Sequence, residues 1–557
     1  MKIRVPVMIQ DPTISAAKGM ADTENVDIED EFFLDGPVSR RLAILNFDPA
    51  TGRLNEGAKF VAPGKDRVLG RYDVNPIASD PLFLQVSVYA TIMKTIAMYE
   101  QPDVLGRPVQ WGFPGSQLLV IPRAGDWANA FYERSSRSLQ FFSFAHNGGT
   151  VHTALSRDIV AHETGHAILD GIAPDLLDAI TPQALALHES IADLTALLMA
   201  FASQTLRETV LEQNNGSIAH PSAFNLVAEE FGGALRGGRP LRDFANNASL
   251  IAGPGLDPVS RTQPHELSQV MSGALFPVML HMHQEMTDQF VADGIEPLAA
   301  AGRALGICAL QFGRIMLRAL DYLPPGEVSF RDYVWAVVAS DTVSNPDTSG
   351  PRDLLMSEFT RRGVPVDPES IAAELYLDAP QLQDVDRRML VDSDWAAFDF
   401  VSRNRELFNI PADVPFRLRP RLDVTKSYFR QSGEEEKREL IFKVSWDADE
   451  ANPIGRSYPS MRTLTVGTTL AISWDEPTIR ARLTHQLTPD QASDRTDMLR
   501  QLDAEGTLIP GRPVTIPSVA SRRVIGPQRI GDTMRLAGTG LTLHIAGPWS
   551  PPLEDQP

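Results

Sequence analysis

The sequence predicts an α+β protein with a β-rich N-terminal lobe, a mainly helical second lobe and a β-rich C-terminal module. Residues 117–122 and 138–145 have the composition of short strands, and the second of these is rich in phenylalanine. Apolar residues then recur at helical spacing from about residue 264 to residue 409. Short alternating segments follow beyond residue 411, among them residues 533–545, and these are typical of a separate β-rich module.

The chain has 557 residues, which is long for a single domain. We divide it into four regions. Residues 1–65 are predicted to form a β-rich or irregular extension, and residues 66–170 a β-rich lobe that ends in a central helix. Residues 171–410 are predicted to form the mainly helical lobe. Residues 411–557 form the accessory module, which a helix interrupts at about residues 490–506.

Composition and charge narrow the classes of protein to which the chain can belong. It has 43% hydrophobic and 22% charged residues, as soluble globular proteins do. The net charge of −20 argues against a nucleic-acid partner, which needs a clustered basic surface. We expect that no apolar run is long enough to span a bilayer, and the N-terminus lacks the long apolar stretch of a signal peptide. We therefore expect no membrane partner and a cytoplasmic location, with secretion by an unusual route as the alternative.

The pattern H-E-x-x-H at His162, Glu163 and His166 is the feature that points to chemistry. On a helix, residues four apart lie on one face, so the two imidazoles can bind one zinc ion. Glu163 lies about 100° further round the helix, where a general base can take a proton from metal-bound water. The alternative is an ordinary helix whose two histidines bond to neighbouring side chains.

A second predicted helix supplies a third ligand. Thr181 is a suitable N-cap, and the proline that follows it is favoured at the first helical position. Glu189 and Asp193, four residues apart, share one face of this helix. Glu189 can complete a site of two histidines and one glutamate, while Asp193 can accept a hydrogen bond from a ligand imidazole. Without the upstream motif, this face would be interpreted as a solvated acidic surface.

Together, the motif at residues 162–166 and the Glu-Ser-Ile-Ala-Asp segment at residues 189–193 resemble the thermolysin family of gluzincin zinc metallopeptidases. The resemblance implies a thermolysin-like two-lobed fold, a Zn²⁺ cofactor and a peptide or protein substrate. It also implies that Asp170, four residues after His166, orients that histidine.

Further segments follow the order of the same family. Residues 127–132 resemble its substrate-binding edge strand, which implies that Asn129 and the backbone of Ala130 hydrogen-bond an extended peptide. The segment around Arg242 resembles the one whose arginine contacts the substrate carbonyl. His265, at the start of a predicted helix, matches the histidine that stabilises the oxyanion. The alternatives are a plain surface strand, a salt-bridged arginine and a helix-capping histidine.

The resemblance covers roughly residues 80–345 and has departures. No tyrosine occurs between His166 and Glu189, where the family has an oxyanion-stabilising tyrosine. The sequence therefore predicts a zinc-dependent endopeptidase that uses a metal-activated water. A catalytically weak or inactive protein remains an alternative, in which the cleft and the C-terminal module bind a protein partner. A zinc hydrolase of another substrate is the second alternative.

Overall fold

The fold is a mixed arrangement of many helices and several sheets, in agreement with the predicted α+β class. A computed structural model describes residues 1–505, 525–530 and 533–538, except residues 20, 66, 67, 236–238, 431 and 432. The far end of the strand predicted at residues 533–545 lies outside the described residues. The boundaries of the four predicted regions remain a prediction.

The strands are short in the first third of the chain and long in the last third. The strands of the described residues are β1 (Lys2–Met8), β2 (Thr23–Glu29), β3 (Leu42–Ile44), β4 (Phe47–Asp48), β5 (Arg53–Leu54), β6 (Lys59–Val61), β7 (Arg71–Asp73), β8 (Leu118–Ile121), β9 (Ala130–Glu133), β10 (Ser138–Phe141), β11 (Ser143–His146), β12 (Gly149–His152), β13 (Leu226–Val227), β14 (Arg242–Asp243), β15 (Ala248–Ser249), β16 (Asp257–Pro258), β17 (Leu375–Asp378), β18 (Phe416–Arg430), β19 (Gly433–Ala451), β20 (Met461–Ser473), β21 (Thr478–Thr484), β22 (Ile525–Ile530) and β23 (Thr533–Gly538).

The helices dominate the middle of the chain, as the spacing of apolar residues predicts. They are α1 (Pro12–Lys18), α2 (Pro81–Tyr99), α3 (Arg157–Ile172), α4 (Asp175–Asp178), α5 (Pro182–Ala202), α6 (Gln204–Gln213), α7 (Glu229–Leu235), α8 (Pro264–Ala292), α9 (Pro297–Tyr322), α10 (Phe330–Ser344), α11 (Gly350–Arg361), α12 (Pro368–Ala372), α13 (Arg387–Asp392), α14 (Asp394–Arg403) and α15 (Pro489–Ala504).

One four-stranded sheet, in the order β3-β8-β10-β9, lies before the central helix α3. The strands predicted at residues 117–122 and 138–145 are confirmed as β8 and as β10 followed by β11. Strand β9 pairs antiparallel with β10 and is the last strand of the sheet on that side, so it is an edge strand within the described residues. An edge strand leaves backbone donors and acceptors that another chain can pair with.

Helices α2 and α5 are each long and apolar enough to cross a membrane by length and hydropathy alone. The expectation that the chain contains no such run is therefore wrong. Most of α2 and the whole apolar stretch of α5 are buried inside the protein. A helix surrounded by other elements on every side is apolar all round, and this is why the two core helices share the composition of a membrane span.

The C-terminal sheet is covered on both faces. Its main path runs β17-β21-β20-β19-β18, and β17 joins it although that strand precedes residue 411. Tyr428 and Ile441 belong to the main hydrophobic core, together with residues of α9 and α10. Phe442 and Leu470 belong to a second core with Phe400 of α14. The sheet is thus packed between the central helices and the α13–α14 pair.

A buried ionic network joins this sheet to α9. Asp321 accepts hydrogen bonds from Arg107 Nη2 at 2.6 Å and from Lys426 Nζ at 2.7 Å. Glu439 accepts one from the Tyr428 hydroxyl at 2.6 Å, and its carboxylate lies 3.9 Å from Lys426. Burial by itself would raise the pKa of Asp321, but the two cations outweigh it and hold that pKa below its ordinary value.

We expect Asp321→Asn to destabilise the protein by about 3–5 kcal/mol, because it leaves Lys426 as a buried charge without its nearest anion. Chemical denaturation of both proteins measures the change in the free energy of unfolding. Asp423→Asn is the matched control, since Asp423 pairs with Arg438 on the surface and such pairs contribute at most about 1 kcal/mol. Equal losses in the two variants would contradict the role given to the network.

Candidate metal centre

Helix α3 begins at a residue that caps it with its side chain. Ser156 is its N-cap, and its hydroxyl accepts a hydrogen bond from the Ile159 backbone N–H at 3.4 Å. Asp158 lies in the first turn of the same helix. Helix α5 also starts at the predicted position, but the hydroxyl of its N-cap Thr181 donates to Glu327 instead of capping the helix.

Helices α3 and α5 approach each other closely at Gly165. A Cβ atom on this residue would lie 2.9 Å from Thr195 Oγ1 and 3.1 Å from the Cα atom of Ala192. These separations are shorter than van der Waals contact, so a larger side chain would push the helices apart. The lack of a side chain at Gly165 therefore permits the approach that brings Glu189 to the histidines.

His162, His166 and Glu189 converge at this approach and form a group that could hold a metal ion. The two Nε2 atoms lie 3.0 Å apart. Glu189 Oε2 is 3.7 Å from His162 Nε2, and Glu189 Oε1 is 3.8 Å from His166 Nε2. All three residues are buried. Ligand atoms about 2.0–2.1 Å from a tetrahedral ion lie about 3.3 Å from one another, so the donor set fits such an ion.

Asp193 fixes the proton of the first histidine. His162 Nδ1 lies 2.9 Å from Asp193 Oδ1, and a donor at Nδ1 leaves the Nε2 lone pair directed at the group that could hold a metal ion. The other carboxylate oxygen lies 3.3 Å from Arg242 Nε. Arg242 Nη2 in turn lies 2.9 Å from His265 Nδ1. Because arginine can only donate, the hydrogen of a neutral His265 ring is on Nε2.

His188 lies against the second ligand histidine, in the position predicted for Asp170. The Nδ1 atoms of His166 and His188 are 2.8 Å apart, and the two buried rings are stacked. If His166 uses Nε2 for the metal, its Nδ1 carries the hydrogen and His188 Nδ1 must accept it. No pattern in the sequence identifies His188, because its position one residue before Glu189 does not reveal which way the ring points.

Asp170 has other partners. It accepts a hydrogen bond from the Tyr132 hydroxyl at 2.8 Å and is paired with the Arg134 guanidinium. The predicted contact with His166 is thus replaced by contacts to β9 and the turn after it. Asp170 lies one helical turn beyond His166, and the aromatic and cationic side chains next to that turn attract its buried carboxylate. Its observed contacts join α3 to the edge strand.

The predicted substrate-binding residues lie beside the metal group. Asn129 is fully buried, and neither end of its side-chain amide has a hydrogen-bond partner among the described residues. Ala130 opens strand β9 and lines a small pocket together with His162 and Glu163. The rest of the pocket wall is mainly apolar and consists of Thr153, Ile159, Val227, Ala228, Phe231 and Leu241.

The segment at residues 227–231, which forms one wall of this pocket, is held by two buried aspartate side chains. Asp158 accepts a hydrogen bond from the Ala228 backbone N–H at 3.2 Å, and Asp11 accepts one from the Glu230 N–H at 2.9 Å. Burial and the nearby negative charge of Asp11 raise the pKa of Asp158 to about 8. The N-terminal segment thereby contributes to the wall of a pocket beside Glu163.

Comparison with known proteins gives little guidance. No protein-family model matches the chain, and no curated protein matches it. Among solved structures, one match is the precursor of protealysin, a metalloproteinase from Serratia proteamaculans. The identity is 16% and the TM-score 0.35, over 60% of this chain and 90% of that chain. A likeness at this level carries no argument about function.

We expect His188→Leu to weaken metal binding by about 10–100-fold, because the hydrogen on His166 Nδ1 loses its acceptor. Competition with a chromogenic chelator, using Zn²⁺, measures the affinity. His281→Leu is the matched control, since His281 is half-exposed on α8 and pairs with Glu285 away from the group. An affinity equal to that of the control would rule out the assigned role of His188.

Proposed function

We propose that the protein is a zinc-dependent endopeptidase with a thermolysin-like, two-lobed catalytic region. One observation carries the proposal: two histidines and one glutamate converge in a buried group whose dimensions fit a tetrahedral ion. A partner at each Nδ1 atom directs both Nε2 lone pairs to the same point, which favours metal binding over two structural histidines.

The donor set favours zinc over the other common divalent ions. Two imidazoles and one carboxylate around a tetrahedral position are typical of catalytic zinc, whereas calcium and magnesium prefer oxygen ligands. A fourth position is available for water or substrate in such sites. Zinc bound there would lower the pKa of a water molecule and polarise the carbonyl of a substrate.

Glu163 is the residue that we assign as the general base. Its carboxylate is buried and lines the same pocket as the ring of His162. From there it can take a proton from the attacking water and then give this proton to the amine that leaves. His265, with its hydrogen on Nε2, and Arg242 are assigned to the oxyanion that develops on the substrate carbonyl.

The substrate is proposed to be an extended peptide. Strand β9 is an edge strand within the described residues, so a peptide can add to it by backbone hydrogen bonding. The buried amide of Asn129, which has no partner among those residues, supplies a further donor and acceptor next to this edge. The apolar pocket that starts at Ala130 can accept a side chain of the peptide.

A second candidate function is a catalytically weak or inactive protein that binds a protein partner. The absence of a tyrosine between His166 and Glu189 favours it, because the oxyanion then depends on His265 and Arg242 alone. Such a protein would bind zinc but would not hydrolyse casein or quenched fluorescent peptides.

We expect Glu163→Gln to keep about one zinc per chain and to lower peptide hydrolysis by about 10²–10⁴-fold, because the amide cannot take the proton. Metal analysis and cleavage of a quenched peptide library measure the two quantities. Glu285→Gln, at an exposed position of α8, is the matched control and is expected to cleave like the parent. Equal cleavage by the parent and the Glu163 variant would eliminate this mechanism.

A further inference from the structure

Helix α15, which belongs to the predicted C-terminal module, contacts the segment that leads into α8. Asp494 on this helix pairs with Arg261 through two hydrogen bonds, from Nε at 2.9 Å and from Nη2 at 3.1 Å. Such a two-bond pair fixes the orientation of the guanidinium as well as its position. The Thr262 hydroxyl donates to Gln501 Oε1 at 3.0 Å, about two turns further along α15 than Asp494.

These contacts lie immediately before His265. Arg261 and Thr262 precede the N-cap residue Gln263, and His265 is the second residue of α8. The side chain of Gln263 makes no capping hydrogen bond. The first turn of a helix has backbone N–H groups without partners in the helix, and it frays when nothing outside holds it. The start of α8 therefore relies on contacts such as those from α15.

The same helix also contacts the start of α5, which carries Glu189. Arg495 is fully buried, and its guanidinium donates to Glu450 and, through Nη1, to the Thr181 hydroxyl at 3.3 Å. Met498 and Leu499 form a small apolar cluster with Ile180, next to the N-cap of α5. Helix α15 thus joins the beginnings of the two helices that carry Glu189 and His265.

Glu189 and His265 lie close to each other, so the contacts of α15 affect how these two residues are placed. His265 Nδ1 lies 3.5 Å from Glu189 Oε2, so a shift of either helix start changes the relation of His265 to the metal group. In an active site, a displacement of about 1 Å can cost a factor of about 100 in rate.

We propose that α15 is a positioning element of the metal centre, and that Asp494 and Gln501 hold His265 in place through Arg261 and Thr262. The expected change in kcat rests on the proposed function, whereas the expected change in the backbone at the start of α8 does not. It assigns to the C-terminal module a part in the catalytic site itself, whereas the sequence suggests an accessory module that binds a partner.

The kinetic experiment uses Asp494→Asn and Thr262→Val in the full chain loaded with zinc. Asp494→Asn removes the negative charge and one of the two acceptors for Arg261, and Thr262→Val removes the hydrogen bond to Gln501. Each variant is expected to lower kcat for a quenched peptide about tenfold. KM is expected to stay within about twofold, and the zinc content to stay at one per chain, because neither residue contacts the metal group or β9. Asp497→Asn is the matched control: it is on the same helix, paired with Arg500 at the surface, and is expected to behave as the parent.

A second measurement does not depend on catalysis. Hydrogen exchange followed by mass spectrometry reports the opening of the backbone at residues 260–268. We expect faster exchange there in Asp494→Asn and in Thr262→Val than in the Asp497 control. If the parent cleaves no peptide, the proposed function fails, and the exchange result still decides whether α15 holds the start of α8.

Charge reversal separates the specific contact from general destabilisation. Arg261→Asp and Asp494→Arg should each lower turnover and speed up backbone exchange at residues 260–268. The double variant should recover most of both, because it restores the ion pair with the charges exchanged. The proposal would be overturned if Asp494→Asn and Thr262→Val had the same kcat and the same exchange rates as the Asp497 control. It would also be overturned if the double variant recovered neither quantity relative to the two single variants.

Discussion

The candidate site depends on the close approach of α3 and α5. Gly165 permits it, because any Cβ atom there would press on Thr195 and on the backbone of Ala192. His162 and His166 are on one of these helices and Glu189 is on the other, so the separation of the helices sets the size of the space between these three side chains. The edge strand, the pocket beside Glu163 and the start of α8 are arranged around this helix pair.

Two buried groups orient the imidazoles by different means. Asp193 presents an anion to His162, whereas His188 presents a neutral ring nitrogen to His166. A carboxylate makes the histidine that it contacts a stronger donor to a metal than a neutral acceptor does. The two histidines are therefore unequal in their contacts, and Arg242 links the Asp193 side of the candidate site to His265.

Local features were accessible from the sequence and distant ones were not. The helix predicted around His162 and the helix predicted to start with the proline after Thr181 depend on residues close together in the chain, and both helices are confirmed. The ring direction of His188, the partners of Asp170 and the contacts of α15 depend on residues far away in the chain. No periodicity encodes such contacts, since they arise only when the elements pack.

Anomalous diffraction at the zinc absorption edge, from crystals of the protein prepared with Zn²⁺, tests the central claim most directly. The account predicts one strong peak within about 2.0–2.2 Å of both Nε2 atoms, of His162 and of His166, and of a carboxylate oxygen of Glu189. A peak elsewhere in the molecule, or a zinc ion held by the histidines while Glu189 points away from it, would contradict the account.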